Sequence, residues 1–151
     1  MKNDNYNNTQ NQQGNMQRFN IQRIYLKDLS IEIPNAPDIF LDMDKYKVDV
    51  NIKVGGKKIA DNIFESDITL TVNALILEKI LYIIEITQSG IFEFINIDKP
   101  TIDKMLSVTC YTIIYPYLRT NLADILSRMS MPTFHLEEVN FQALYEQYTN
   151  D

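Results

Sequence analysis

The sequence predicts an α+β domain: an antiparallel sheet built first, with helices gathered at the C-terminal end. Three observations predict it. Between Phe19 and Phe94, apolar and polar residues alternate with a period of two, in runs separated by short breaks. Beyond Asp98, Lys99 and Pro100 the apolar period lengthens to helical spacing. Strands following strands through short turns leave no room for crossover helices, so the sheet is antiparallel.

Each element has its own signature. Leu29, Ile31 and Ile33 alternate with Asp28, Ser30 and Glu32, and the run Pro34 to Pro37 ends that strand because proline lacks a ladder donor. Val48, Val50, Ile52 and Val54 alternate with Lys47, Asp49, Asn51 and Lys53; Gly55, Gly56, Lys57 and Lys58 read as a turn that breaks the run. Ile68, Leu70, Val72, Ala74 and Ile76 form a third alternating set. A fourth, β-branched run from Leu81 to Thr87 leads through Ser89 and Gly90 into Ile91, Phe92 and Phe94.

Pro100 suits a helix start, where a missing N–H costs nothing. Ile102, Met105, Leu106, Thr109 and Ile113 then make one helical stripe, which Pro116 is expected to interrupt or restart. Leu118, Leu122, Ile125, Leu126 and Met129 make a second stripe, ended before Pro132. Phe141, Leu144, Tyr145 and Tyr148 follow Asn140, a suitable N-cap. Residues 1–17 hold ten Asn or Gln and no apolar core behind a basic start, so they read as a disordered tail rather than a targeting signal. The ordered part, residues 18–149, reads as one domain. No apolar run approaches the roughly 20 residues needed to span a bilayer, so the expected location is cytoplasmic.

Composition excludes most chemistry. The chain of 151 residues carries 14 Lys and Arg against 20 Asp and Glu, a formal charge of -6, which argues against nucleic acid as a partner. One cysteine and one histidine cannot make a disulfide framework or a Cys/His zinc site, and four glycines leave no phosphate-cradling loop. Cys110 reads as an inert buried thiol, and His135 as a surface or packing residue. Asp28 and Glu32 share a strand face but lie roughly 13 Å apart along it. Paired-carboxylate hydrolysis needs about 5–9.5 Å, so a solvated face is the simpler reading. Ile83 and Glu85 share a face of the fourth strand in the same way, and spacing alone does not bring the two pairs together. No nucleophile–base pair is visible, and the chain reads as a non-enzyme with no cofactor and no metal. Residues 105–118 carry no charge. Such a helix is either deep in the core or, on the stronger reading, covered by another copy of the chain. The six methionines, nine tyrosines and seven phenylalanines are mostly core, with an adaptable binding surface as the alternative use.

The runs Phe19–Asp28 (FNIQRIYLKD) and Ser30–Pro37 (SIEIPNAP) resemble the opening of SecB, the bacterial protein-export chaperone family. The likeness continues through Gln88–Phe92, Ile114–Arg119 and Val139–Leu144, and covers residues 19–148 without a gap. The resemblance implies a four-stranded antiparallel sheet with C-terminal helices on one face, assembled as a homotetramer that is a dimer of dimers. It implies a cytosolic chaperone that keeps unfolded precursor proteins competent for translocation and delivers them to the SecA ATPase. The zinc in that encounter belongs to SecA. The family's SecA-docking positions fall on Asp28, Glu32, Ile83 and Glu85, and its client groove on Phe40, Val48, Val50, Ile52, Tyr117, Leu126 and Met129. Three departures stand out: Asp44 where the family has a tryptophan, Met129 where it has a helix-ending glycine, and Asn150-Asp151 in place of an acidic tail. A chaperone of the same kind dedicated to a toxin–antitoxin pair is the alternative.

Overall fold

The computed structural model describes residues 13–150. Residues 1–12 of the expected tail therefore lie outside the described residues. Gln13–Asn15 form one 3-10 turn, and the Asn96 side-chain amide donates to the carbonyls of Gly14 (3.1 Å) and Met16 (3.2 Å). Four strands follow: β1 (Arg18–Glu32), β2 (Lys47–Ala60), β3 (Ile63–Ile76) and β4 (Lys79–Ile95). They form one antiparallel sheet in the order β1-β4-β3-β2. The helices α1 (Lys99–Ser107), α2 (Thr109–Arg128) and α3 (Phe141–Thr149) complete the α+β architecture.

The central strands carry the core. On β3, Ile68, Leu70, Val72 and Ala74 are fully buried, as are Ile84, Ile86, Phe92 and Phe94 on β4. α2 lies over these two strands and buries Ile114, Leu118, Leu122 and Leu126 against them. Each such side chain contributes about 1.5–3 kcal/mol by leaving water. Within this apolar layer the buried Gln88 is satisfied by the Asn121 amide at 2.6 Å. Phe19, Phe64, Phe92 and Phe94 close one end of the same face, with ring centroids 5.2–5.7 Å apart.

Two of the expected breaks are absent. β2 runs straight through Gly55 and Gly56, neither of which takes a positive φ, and the reversal comes at Asp61-Asn62, with Asn62 at φ 62°. Asn tolerates that left-handed conformation better than most residues. Likewise α2 continues through Pro116, and the helix break falls at Val108 instead, where φ is -126° and ψ -65°. Pro116 and Thr112 are both exposed, so the carbonyl left without a donor one turn back faces water. The helix then ends through Ser130 at φ 60°, with Ser130 N–H bonded to Ser127 O (3.1 Å) and Met131 N–H to Leu126 O (3.0 Å). Ser130, and not Met129, occupies the left-handed position. Tyr115 donates to the Glu137 carbonyl at 2.5 Å, which ties the following connection to α2, and Asn140 caps α3 by accepting from Ala143 N–H at 3.0 Å.

Candidate functional site

The sheet has two unlike faces, and register decides what each displays. Glu32 pairs with Ile83, Ser30 with Glu85, and Asp28 with Thr87. Directly opposed residues project to the same side, so Asp28, Glu32, Ile83 and Glu85 share the face turned away from the helices. Glu85 lies opposite the residue between the two β1 acids, and diagonal neighbours sit about 7–8 Å apart. The 13 Å gap along β1 is thus filled from β4. The three carboxylates are exposed and Ile83 is half-buried among them. Thr69, Thr71 and Asn73 continue the rows onto β3. The arrangement is an acidic patch around one apolar residue, open to solvent.

Next to this patch, a register shift between Leu26 and Asp28 sets Lys27 out of the regular pairing. Its ammonium crosses to β3, where it pairs with Glu65 and lies 3.7 Å from Asp67. The hydrogen bond to Glu65 raises the Lys27 pKa. Burial pushes the Glu65 carboxyl up, but bonds from Lys27, Asp67 and Tyr25 outweigh it and hold the group below its usual range. Burial and the neighbouring Glu65 raise Asp67, against a hydrogen bond donated by Ser89 at 2.5 Å. These groups are tied to one another, whereas the carboxylates of Asp28, Glu32 and Glu85 stay open to solvent.

On the helix side, Val48, Val50, Ile52 and Val54 pair with Ala74, Val72, Leu70 and Ile68 and form one apolar row. No helix covers that row fully, and Val50 and Val54 stay 41% and 52% exposed. A groove of about 580 Å³ opens beside it, lined by Ile52, Val54, Tyr111, Phe141, Leu144 and Tyr148 among others. Phe40 and Tyr117 are also exposed, at 43% and 51%. Of the seven expected groove residues only Ile52 lines this groove; Val48 and Val50 continue its row, Phe40 and Tyr117 are not among its lining, and two more are buried. Leu126 is fully buried on the side of α2 that packs into the core, and Met129, the residue that follows the helix, is 9% exposed in the same core. The α3 side chains that do line the groove were visible in the sequence only as a helical stripe. A stripe shows that a helix has an apolar face, and it does not show that part of the face remains open.

Neither face holds a reacting constellation. Burial pushes the Cys110 thiol up to about 12, which keeps it protonated. Among the described residues, no three His, Cys, Asp or Glu side chains are grouped to hold a metal ion, and no helix is long and apolar enough to cross a membrane. The sheet thus has an acidic patch on one side and an apolar groove on the other, both open to solvent.

The sequence profile of preprotein translocase subunit SecB matches residues 11–151. The protein-export protein SecB of Bordetella petrii is 53% identical over 140 residues, covering 93% of this chain and 80% of that protein. That of Bordetella pertussis is 54% identical over 129 residues, covering 85% and 74%. This chain belongs to the SecB family of protein-export chaperones. Among solved structures, a Mycobacterium tuberculosis SecB-like chaperone, in complex with a peptide from an antitoxin, has the same fold. Its TM-score is 0.67 at 16% identity, covering 81% of this chain and 91% of that one.

Proposed function

We propose that this chain is a cytosolic export chaperone that holds unfolded precursor proteins on apolar grooves and delivers them to the SecA ATPase. The observation that carries this reading is the convergence of Asp28, Glu32, Ile83 and Glu85 from two neighbouring strands onto one exposed patch. A cationic, zinc-centred partner element is its electrostatic complement. Client holding uses Val48, Val50 and Ile52 with the α3 side of the groove, aided by Phe40 and Tyr117. Leu126 and Met129 support the helix from within. The working assembly is a homotetramer, a dimer of dimers, whose several grooves add weak contacts into useful avidity. Nothing in this activity needs a cofactor, a metal or nucleic acid, and the protein does not insert in the membrane.

Reversing Glu85 to Lys is expected to weaken binding of the isolated SecA zinc peptide by about 1–3 kcal/mol, while aggregation of an unfolded client remains suppressed. Calorimetry at low salt measures the first quantity and light scattering the second. Equal peptide affinity in the variant would remove this patch from the interface. A dedicated toxin–antitoxin chaperone is the weaker reading. The antitoxin-bound neighbour is 16% identical to this chain, whereas the export proteins stand at 53% and 54%.

A further inference from the structure

β1 carries one residue too many where it enters the acidic patch. Tyr25 lies opposite Ser89 and Leu26 opposite Gln88, but the next pair along the ladder is Asp28 with Thr87, so Lys27 has no counterpart on β4. Strict alternation would set Tyr25 and Asp28, three positions apart, on opposite faces of the sheet. The extra residue puts both on the face turned away from the helices. Without it, Asp28, Ser30 and Glu32 would fall opposite Ile86, Ile84 and Tyr82, all fully buried on the helix side. The patch therefore exists only because β1 is bulged.

Two residues compete to be the extra one. Leu26 and Leu29 are fixed opposite Gln88 and Ile86, and between them β1 has Lys27 and Asp28 where β4 has only Thr87. Either could stand opposite Thr87, and the apolar pattern does not choose. An ion pair does. The Lys27 ammonium reaches across β4 to Glu65, with Asp67 3.7 Å away. Glu65 is only 6% exposed, and a carboxylate so deeply placed is costly to leave without a partner. Lys57 stands directly opposite Glu65 on β2, yet it makes no ion pair among the described residues. The receiving side is itself held, because the fully buried Ser89 donates to Asp67 at 2.5 Å.

We infer that Lys27 and Glu65 are positioning residues of the acidic patch: their pairing makes Lys27 the bulged residue and so sets Asp28, rather than Lys27, opposite Thr87. This rests on the SecA-docking reading and adds to it two residues that govern the patch from outside. With the anchor removed, the bulge is free to move one residue along β1. Asp28 then leaves its place beside Glu85, and the carboxylates no longer match a cationic partner as a set. Ser30 and Glu32 keep their partners wherever the extra residue sits, so the effect falls on Asp28.

The experiment measures binding of the isolated SecA zinc peptide to the intact protein, by calorimetry at low salt, across a cycle of variants. In the parent, Asp28→Asn is expected to weaken binding about five-fold. The background Lys27→Met/Glu65→Gln removes the anchor without leaving Glu65 charged and unpaired. There the same substitution changes affinity by less than about two-fold, whereas Glu85→Lys still weakens it. Lys27→Arg, which keeps the pair, keeps the full Asp28 effect. An ion pair that only stabilised the fold would lower the urea midpoint and leave the cost of Asp28→Asn unchanged. Should the double background fail to unfold cooperatively, Glu65→Gln alone serves the comparison. An equal Asp28→Asn cost with and without the anchor overturns the positioning role and leaves the docking reading intact. So does an Asp28→Asn variant that binds like the parent while Glu85→Lys binds more weakly. If neither substitution weakens binding in the parent, the docking reading itself fails.

Discussion

Lys27 shows how a single residue can be invisible in sequence and decisive in space. It reads as one more exposed cation on a strand, yet the register shift beside it aims it across β4 onto Glu65 and Asp67. The two acids titrate with opposite signs. Glu65 is held below its ordinary value of 4.5 in the folded state, so its contribution is present above that pH and is lost as pH falls through the lowered value. Asp67 is raised above 3.8 by burial, so its contribution is present below that pH and is lost as pH rises through the raised value. At neutral pH the Asp67 charge therefore opposes folding. The variant Asp67→Asn keeps an acceptor for Ser89 and removes that charge, so its urea midpoint at pH 7 should exceed the parent's and the gap should close below pH 4. A midpoint at or below the parent's at pH 7 would contradict the assignment. The acidic patch proposed for docking is more legible in the sequence. Its four members were named from family likeness, and alternation already put each pair on one face. Only the strand order, which no local pattern carries, placed the pairs together.

At the scale of elements, alternation and helical period located all four strands and all three helices, and the misreadings were of breaks. Gly55-Gly56 looks like a turn because glycine usually marks one, but of the two only Gly56 is required, and for packing. Tyr111 reaches over from α2 and its hydroxyl donates to the Gly55 carbonyl at 3.1 Å. A Cβ on Gly56 would come within 2.5 Å of the Glu65 carbonyl oxygen, whereas one on Gly55 would meet nothing within 4 Å. The two glycines should therefore respond in opposite ways. Gly56→Ala is expected to cost about 1–3 kcal/mol through overpacking against backbone that cannot yield. Gly55→Ala should be neutral or stabilise by up to ~1 kcal/mol, because it only narrows the unfolded ensemble. Urea denaturation of the two single variants checks this, and equal losses would show that the strand needs both glycines for conformation. Pro116 misleads for a related reason: the proline penalty assumes a carbonyl left without water, and here that side of α2 is exposed.

For the whole molecule, the charge-free stretch 105–118 is divided between the two uses its composition allowed. Cys110, Ile114, Tyr115 and Leu118 are buried in the core, while Thr112, Pro116 and Tyr117 face outward. A second uncovered apolar area lies on the helix side of β1, where Ile21, Leu26, Leu29 and Ile31 are 39–49% exposed beside an unpaired edge. Were each of these two patches to close about its own two-fold axis, the two together would generate the proposed dimer of dimers. Pairing β1 with β1 of a second copy would give the strand order β2-β3-β4-β1-β1-β4-β3-β2, with β2 still at both outer edges and the acidic patch still open. Such an assembly is thus compatible with the groove and patch proposed above as binding faces. The native mass by analytical ultracentrifugation should be about four times 17.6 kDa. Ile31→Lys, on the exposed β1 face, and Tyr117→Asp, on the outward side of α2, should each halve that mass. The double variant should sediment as a monomer. Neither residue is part of the buried core, so cooperative unfolding should persist in all three variants. That separates assembly from folding, as a charge at the half-buried Leu106 would not. Undiminished mass in both single variants would place the interfaces elsewhere.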